Sequence, residues 1–177
     1  MSRVIFLDVD GVLNRFEKRS GKLTTHPAPF MSSPALVDLN VAQSFCAVVR
    51  KCPLVRVVVS STWRLHATSR ADFAEMARLD ADLIHEDWRT VRLPQSDNQR
   101  HMEVNEWLSR HPETEAWIAM DDTDYPFPPE RFIKTDSEVG LTYEQLRVAV
   151  RKLGYHLQGS HAVQIKSGWT PKERSKA

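Results

Sequence analysis

Val4-Ile5-Phe6-Leu7-Asp8-Val9-Asp10-Gly11-Val12-Leu13-Asn14 is the stretch that decides the fold. Its first part is apolar without alternation, the pattern of a strand buried on both faces of a parallel sheet. It closes on Asp8, where the chain leaves the sheet. Two further runs have the same form. Val55-Arg56-Val57-Val58-Val59 is β-branched at every apolar position and closes on Ser60 and Ser61, and Ala116-Trp117-Ile118-Ala119-Met120 closes on Asp121 and Asp122. Arg131-Phe132-Ile133-Lys134 is a shorter candidate, and Leu83-Ile84 is a candidate start for an edge strand.

Between these runs the period becomes helical. Leu36, Leu39, Ala42, Phe45, Cys46 and Val49 share one face, Phe73, Met76, Ala77 and Leu83 another, and Val104, Trp107 and Leu108 a third. Thr142-Tyr143-Glu144-Gln145 reads as a capping box opening a last helix, with Leu146, Val150 and Leu153 inward and Gly154 as its stop. Strands alternating with helices predict an α/β domain: a Rossmann-like, doubly wound parallel sheet with flanking helices and right-handed crossovers. The domain is expected over residues 1–159, followed by a polar, flexible tail over 160–177. Residues 14–34 hold three prolines, a glycine and the cations Arg15, Lys18, Arg19 and Lys22, and read as a loop or short lid. That leaves no room for a large cap domain.

The chain has 177 residues, 41% of them hydrophobic and 27% charged, with a net charge of +1. This suits a single domain with a real core and gives no bulk electrostatic reason for a nucleic-acid or membrane partner. Cys46 and Cys52 have neither disulfide-framework nor zinc spacing and read as buried apolar side chains. No signal peptide and no run of transmembrane length is visible, so a soluble, cytoplasmic protein is expected. Oligomeric state is not encoded in any of these features.

In an open α/β sheet, ligands bind beyond the carboxyl ends of the strands. The strand ends here carry Asp8 with Asp10, Ser60 with Ser61, and Asp121 with Asp122. So many carboxylates in one crevice need a cation, and a hard divalent ion such as Mg2+ suits oxygen ligands that also receive phosphate. Asp8 can attack phosphorus, and Asp10 can protonate the leaving oxygen and later take a proton from water. An EF-hand loop beginning at Asp8 would place its glutamate at the twelfth position, which is Arg19, so a calcium loop is disfavoured.

Asp8-x-Asp10-Gly11-Val12 after an apolar strand resembles the first motif of haloacid dehalogenase (HAD) superfamily phosphatases. Val57-Val58-Val59-Ser60-Ser61 resembles their second motif and Met120-Asp121-Asp122 their fourth, while Arg100 is the best match to the third, which is often lysine. Asp8 to Asn14 together with Ser60-Ser61-Thr62-Trp63-Arg64 is similar to the HAD-like domains of the Swiss-army-knife RNA-repair group. Lys134-Thr135-Asp136 followed by Gly140-Leu141-Thr142 fits that group too.

The resemblance implies a Mg2+-dependent phosphatase that hydrolyses phosphate monoesters through an aspartyl-phosphate. Asp8 is then nucleophile and metal ligand. Asp10 is acid/base and gives the metal its backbone carbonyl, and Asp121 and Asp122 complete the metal set. Ser60 or Ser61 holds the phosphate, with Arg100, Arg64 or Lys134 as its cation. The substrate is a phosphorylated small molecule or nucleotide. A nucleic-acid 3′- or 5′-end phosphatase is the rival on the same residues, and a catalytically silent phosphate-binding module the rival of another class. Trp63 reads equally as a substrate contact or a core plug, Asp124 as surface, and His26 as the histidine to test.

Overall fold

The computed structural model describes residues 2–19, 22–24 and 36–157, with the backbone alone for 17–19 and 22–24. Its elements in chain order are β1 (Ser2–Leu7), β2 (Glu17–Arg19), β3 (Lys22–Thr24), α1 (Leu39–Val49), β4 (Val55–Val59), α2 (Arg70–Ala77), β5 (Ile84–Arg89), α3 (Gln99–Arg110), β6 (Thr114–Asp121), β7 (Phe132–Lys134) and α4 (Tyr143–Lys152). The main sheet has five strands in the order β5-β4-β1-β6-β7, all parallel. β1 lies between β4 and β6, and strand order reverses there, so the crevice of a doubly wound sheet opens at the end of β1.

The unbroken apolar runs are explained by burial on both sides of the sheet. Ile5 and Leu7 of β1, Val57 and Val59 of β4, and Ile118 and Met120 of β6 join one core with Phe45 of α1, Phe73 of α2 and Leu146 of α4. The alternate residues Val4, Phe6, Val58 and Ala119 join a second core with Val104 and Trp107 of α3. Phe6 meets Trp107 edge to face at 5.4 Å. Burying each such side chain is worth about 1.5–3 kcal/mol, so the two-sided core gives β1 its fixed place in the sheet.

Helix ends follow local chemistry. Asp38 caps α1 by accepting the N–H groups of Asn40 and Val41, and the Thr142–Gln145 capping box is formed at α4. Gly154 stops α4 with φ +85°. The helical face read through Leu83 is shorter than its pattern: Arg78 takes the left-handed conformation and caps α2, so Leu83 belongs to the turn that enters β5. Cys46 and Cys52 are buried and free, and burial pushes both thiols up to about 11.

The segment after β1 holds an antiparallel hairpin, β2 with β3, and no cap domain is evident among the described residues. Residues 20–21 and 25–34 of the stretch read as a lid, including His26, lie outside the described residues, as do the side chains of Lys18, Arg19 and Lys22 and the tail over 160–177. Among the described residues no helix is long and apolar enough to cross a membrane.

Candidate active site

The site begins where β1 ends. The Asp8 N–H still donates to the Met120 carbonyl at 3.0 Å, so the nucleophile candidate sits on the last rung of the sheet. The chain then folds tightly, with the Val9 carbonyl accepting from Val12, Leu13 and Asn14. Gly11 has φ +69°, and a Cβ there would stand 2.3 Å from Asp122 Oδ2. Glycine is therefore required twice, for the turn and for the approach of Asp122. Thr135 Oγ1 donates to the Gly11 carbonyl at 2.8 Å and holds the turn against the end of β7.

Asp8, Asp121 and Asp122 each bring a carboxylate oxygen within 4.8 Å of the others. Asp8 and Asp121 are buried and Asp122 is half-buried. Burial, then the charge of Asp121, raises Asp8 well above the ordinary carboxylate range, with Arg100 and a hydrogen bond from Ser61 opposing. Burial also lifts Asp121 to about 6 against the pull of Arg100, and lifts Asp122 against Thr123 and Lys134. Asp121 Oδ1 accepts the Thr123 N–H at 2.8 Å, while its buried Oδ2 has no hydrogen-bond partner. A buried oxygen with no hydrogen bond, and only the Arg100 guanidinium 3.4 Å away, among three crowded carboxylates leaves room for a hard divalent cation, so the residues fit Mg2+.

Asp10 is held differently. Its Oδ1 accepts from Asn14 Nδ2 at 2.8 Å and its Oδ2 from Trp63 Nε1 at 3.0 Å. Asn14 is fixed in turn by accepting the Gly11 N–H at 2.8 Å. The Asp10 carboxylate thus stands outside the trio, fixed in orientation, while its main chain runs through the same turn. Trp63, 3% exposed, is a core residue, as one of its two sequence readings had it, and it also clamps Asp10, a contact neither reading named.

Ser60 and Ser61 follow β4 next to Asp8. The Ser60 N–H donates to the Leu7 carbonyl at 2.9 Å, and Ser61 is the one whose hydroxyl hydrogen-bonds Asp8. The three candidate cations separate clearly. Arg100, on the first turn of α3, sets Nε 3.4 Å from Asp121 Oδ2, and the charges of Asp8, Asp121 and Glu103 outweigh the burial that would otherwise lower it. Arg64 is 2% exposed and donates to the carbonyls of Ser61, Thr90 and Val91, with Glu103 2.9 Å away. Burial pulls it down to about 10 against that partner. Lys134 is exposed and donates to the Asp122 carbonyl at 2.8 Å.

Two residues in this arrangement were not singled out from sequence. Glu103 is fully buried and accepts from Arg100 Nη1 at 3.0 Å, Gln99 Nε2 at 2.9 Å and the Leu93 N–H at 3.2 Å. It bridges Arg64 and Arg100 and so fixes the cation that faces the carboxylates. Its i, i+3 spacing from Arg100 was the available signal. Asn14 lay inside the quoted motif, four residues after Asp10, with no role assigned to it. Asp124 is exposed, as expected.

The family described as the HAD domain in Swiss Army Knife RNA repair proteins matches residues 4–146, from β1 into α4 and including all of these side chains. No curated protein and no solved structure matches the chain. The family match supports a hydrolase of the phosphatase type, in agreement with the five-stranded parallel sheet. The chain belongs to the family of HAD domains in Swiss Army Knife RNA repair proteins.

Proposed function

We propose that this chain hydrolyses phosphate monoesters, with Asp8 as nucleophile, Asp10 as general acid and base, and Mg2+ as cofactor. The observation that carries the reading is the division of labour among the carboxylates. Asp8, Asp121 and Asp122 crowd one point, whereas Asp10 is turned aside and clamped by Trp63 and Asn14. Neighbouring carboxylates in different environments are how one site supplies separate roles.

Asp8, Asp121 and Asp122 would hold the metal, with the Asp10 carbonyl as a further oxygen. When bound, Mg2+ keeps Asp8 ionised and offsets charge on the phosphoryl oxygens. Asp8 attacks phosphorus and the ester oxygen leaves with the proton of Asp10. Asp10 then accepts a proton from the water that cleaves the acyl phosphate, which frees Asp8 and phosphate. Ser60 and Ser61 stand beside Asp8 to donate to the phosphoryl oxygens. Arg100, held by Glu103, meets the charge that develops on them. Arg64, whose donors face carbonyls and Glu103, supports the serine turn and Arg100 and does not reach substrate.

The test is phosphate release from an aryl phosphate in Mg2+ and in EDTA. Activity that requires the metal supports the reading. Tight phosphate binding with no turnover on a broad panel of phosphorylated compounds would favour the silent binding module instead.

The family's connection with RNA repair proteins, and a site over which no cap is evident among the described residues, favour a polynucleotide end as a second substrate reading. End-phosphorylated oligonucleotides compared with mononucleotides decide between the two. Preference for the polymer that weakens steeply with salt supports the nucleic-acid end, and equal, salt-independent rates point to small phosphate esters.

A further inference from the structure

We propose a second metal site, for zinc or a similar nitrogen-seeking divalent ion, formed by His85, His111 and Glu113. It is independent of the proposed phosphatase. The three residues come from separate elements: His85 from the start of edge strand β5, His111 from the C-cap of α3, and Glu113 from the approach to β6. One ligand atom from each lies within 4.8 Å of the others. A tetrahedral zinc ion holds its ligand atoms roughly 3.4 Å apart, so only a modest closure is needed. Glu113 is exposed and free to make most of it.

The surroundings of His111 are those of a prepared ligand. Its Nδ1 lies 2.9 Å from the Trp107 carbonyl, which can only accept, so Nδ1 carries a proton and Nε2 is the nitrogen left to face a metal. Metal-binding imidazoles are commonly oriented by such a donation from the other ring nitrogen. The indole of Trp107 stacks on the ring at 3.7 Å and fixes its plane. His85 stands edge-on to both rings, 5.0 Å from Trp107 and 5.3 Å from His111. Its Nδ1 accepts the Asp87 N–H at 3.0 Å, a contact that metal capture disturbs and a bond to the ion replaces. Asp87 Oδ2, 3.5 Å from His111 Nε2, is near enough to serve as a fourth ligand if it gives up Arg110.

Imidazole nitrogens with one or two carboxylates suit Zn2+, Ni2+ or Cu2+, whereas Mg2+ selects the all-oxygen set at Asp8, Asp121 and Asp122. The two sites also lie apart: the carboxylates follow strand C-termini, while this cluster gathers the start of β5, the end of α3 and the entry to β6. An ion here ties the edge strand to the α3–β6 connection.

The test uses the full chain, stripped with EDTA and returned to excess Mg2+ so that the oxygen site does not compete. Co2+ is added and followed by its visible absorption, then displaced with Zn2+ in a calorimeter. The expected result is one Zn2+ per chain. Affinity falls by on the order of 100-fold in His111→Ala and in His85→Gln, falls less in Glu113→Gln, and is unchanged in Asp121→Asn. No Zn2+ uptake in excess Mg2+, or uptake that survives both histidine variants, overturns the proposal. A readout on unmutated protein covers the case in which a variant does not fold. Zn2+ must protect His85 and His111, and leave exposed His66 reactive, towards diethylpyrocarbonate with the products mapped by mass. Equal modification with and without Zn2+ contradicts the site.

Discussion

Replacing Asp121 by asparagine tests whether the carboxylate cluster is electrostatically strained without a cation. In the folded protein burial lifts Asp121 from 3.8 to about 6. A carboxylate raised on folding keeps its proton in the native state over a pH range where the unfolded chain has lost it. Stability is therefore fully present below about pH 4 and is lost as pH rises to about 6, after which it levels. A difference of about two pKa units corresponds to about 3 kcal/mol. Asp8 and Asp122 are raised as well, so they act in the same direction, whereas burial lowers His85 and gives an opposite trend over neighbouring pH values. Comparing wild type with Asp121→Asn cancels His85. The assay is urea unfolding in EDTA from pH 4 to pH 8. The wild type should lose about 3 kcal/mol more than the variant across that range. Adding Mg2+ at pH 8 should stabilise the wild type and do little for the variant. Parallel pH curves for the two proteins would show that Asp121 is not held protonated by burial in the folded protein.

Trp63→Phe keeps an aromatic ring in the core and removes the N–H that holds Asp10. It should lower kcat by about ten- to a hundredfold, within the range of acid–base contributions, with Mg2+ affinity unchanged in a metal titration. Gly11→Ala forces a side chain into the left-handed region and against Asp122. It should cost at least about 1–2 kcal/mol in urea unfolding and weaken Mg2+ binding measured by calorimetry.

How much of this was legible in the sequence follows from the range over which each interaction acts. The strands of the sheet could be read because two-sided burial leaves unbroken apolar runs such as Val4–Leu7 and Val55–Val59, and even the short start at Leu83-Ile84 led into β5. The helical run through Leu83 was over-read because Arg78 ends α2 without the glycine that usually marks such a stop. Asp8, Asp10 and the Asp121-Asp122 pair were visible because strand ends carry them. The roles of Trp63 and Arg64 were not. Trp63 reaches Asp10 across 53 positions, and that contact exists only once β1 and β4 pair in register. Arg64 and Arg100 are both buried cations on Glu103, and it is Arg100, on the helix α3 that packs on the sheet, that faces Asp121.

The central claim is that Asp8 becomes covalently phosphorylated. The direct measurement is an acid quench during turnover in Mg2+, followed by intact mass and peptide mapping, for wild type and Asp8→Asn. The expected result is a wild-type fraction heavier by one phosphoryl group, mapped to Asp8, with neither adduct nor turnover in a folded Asp8→Asn protein. Turnover that persists in a clean Asp8→Asn preparation, or an adduct on another residue, would contradict it.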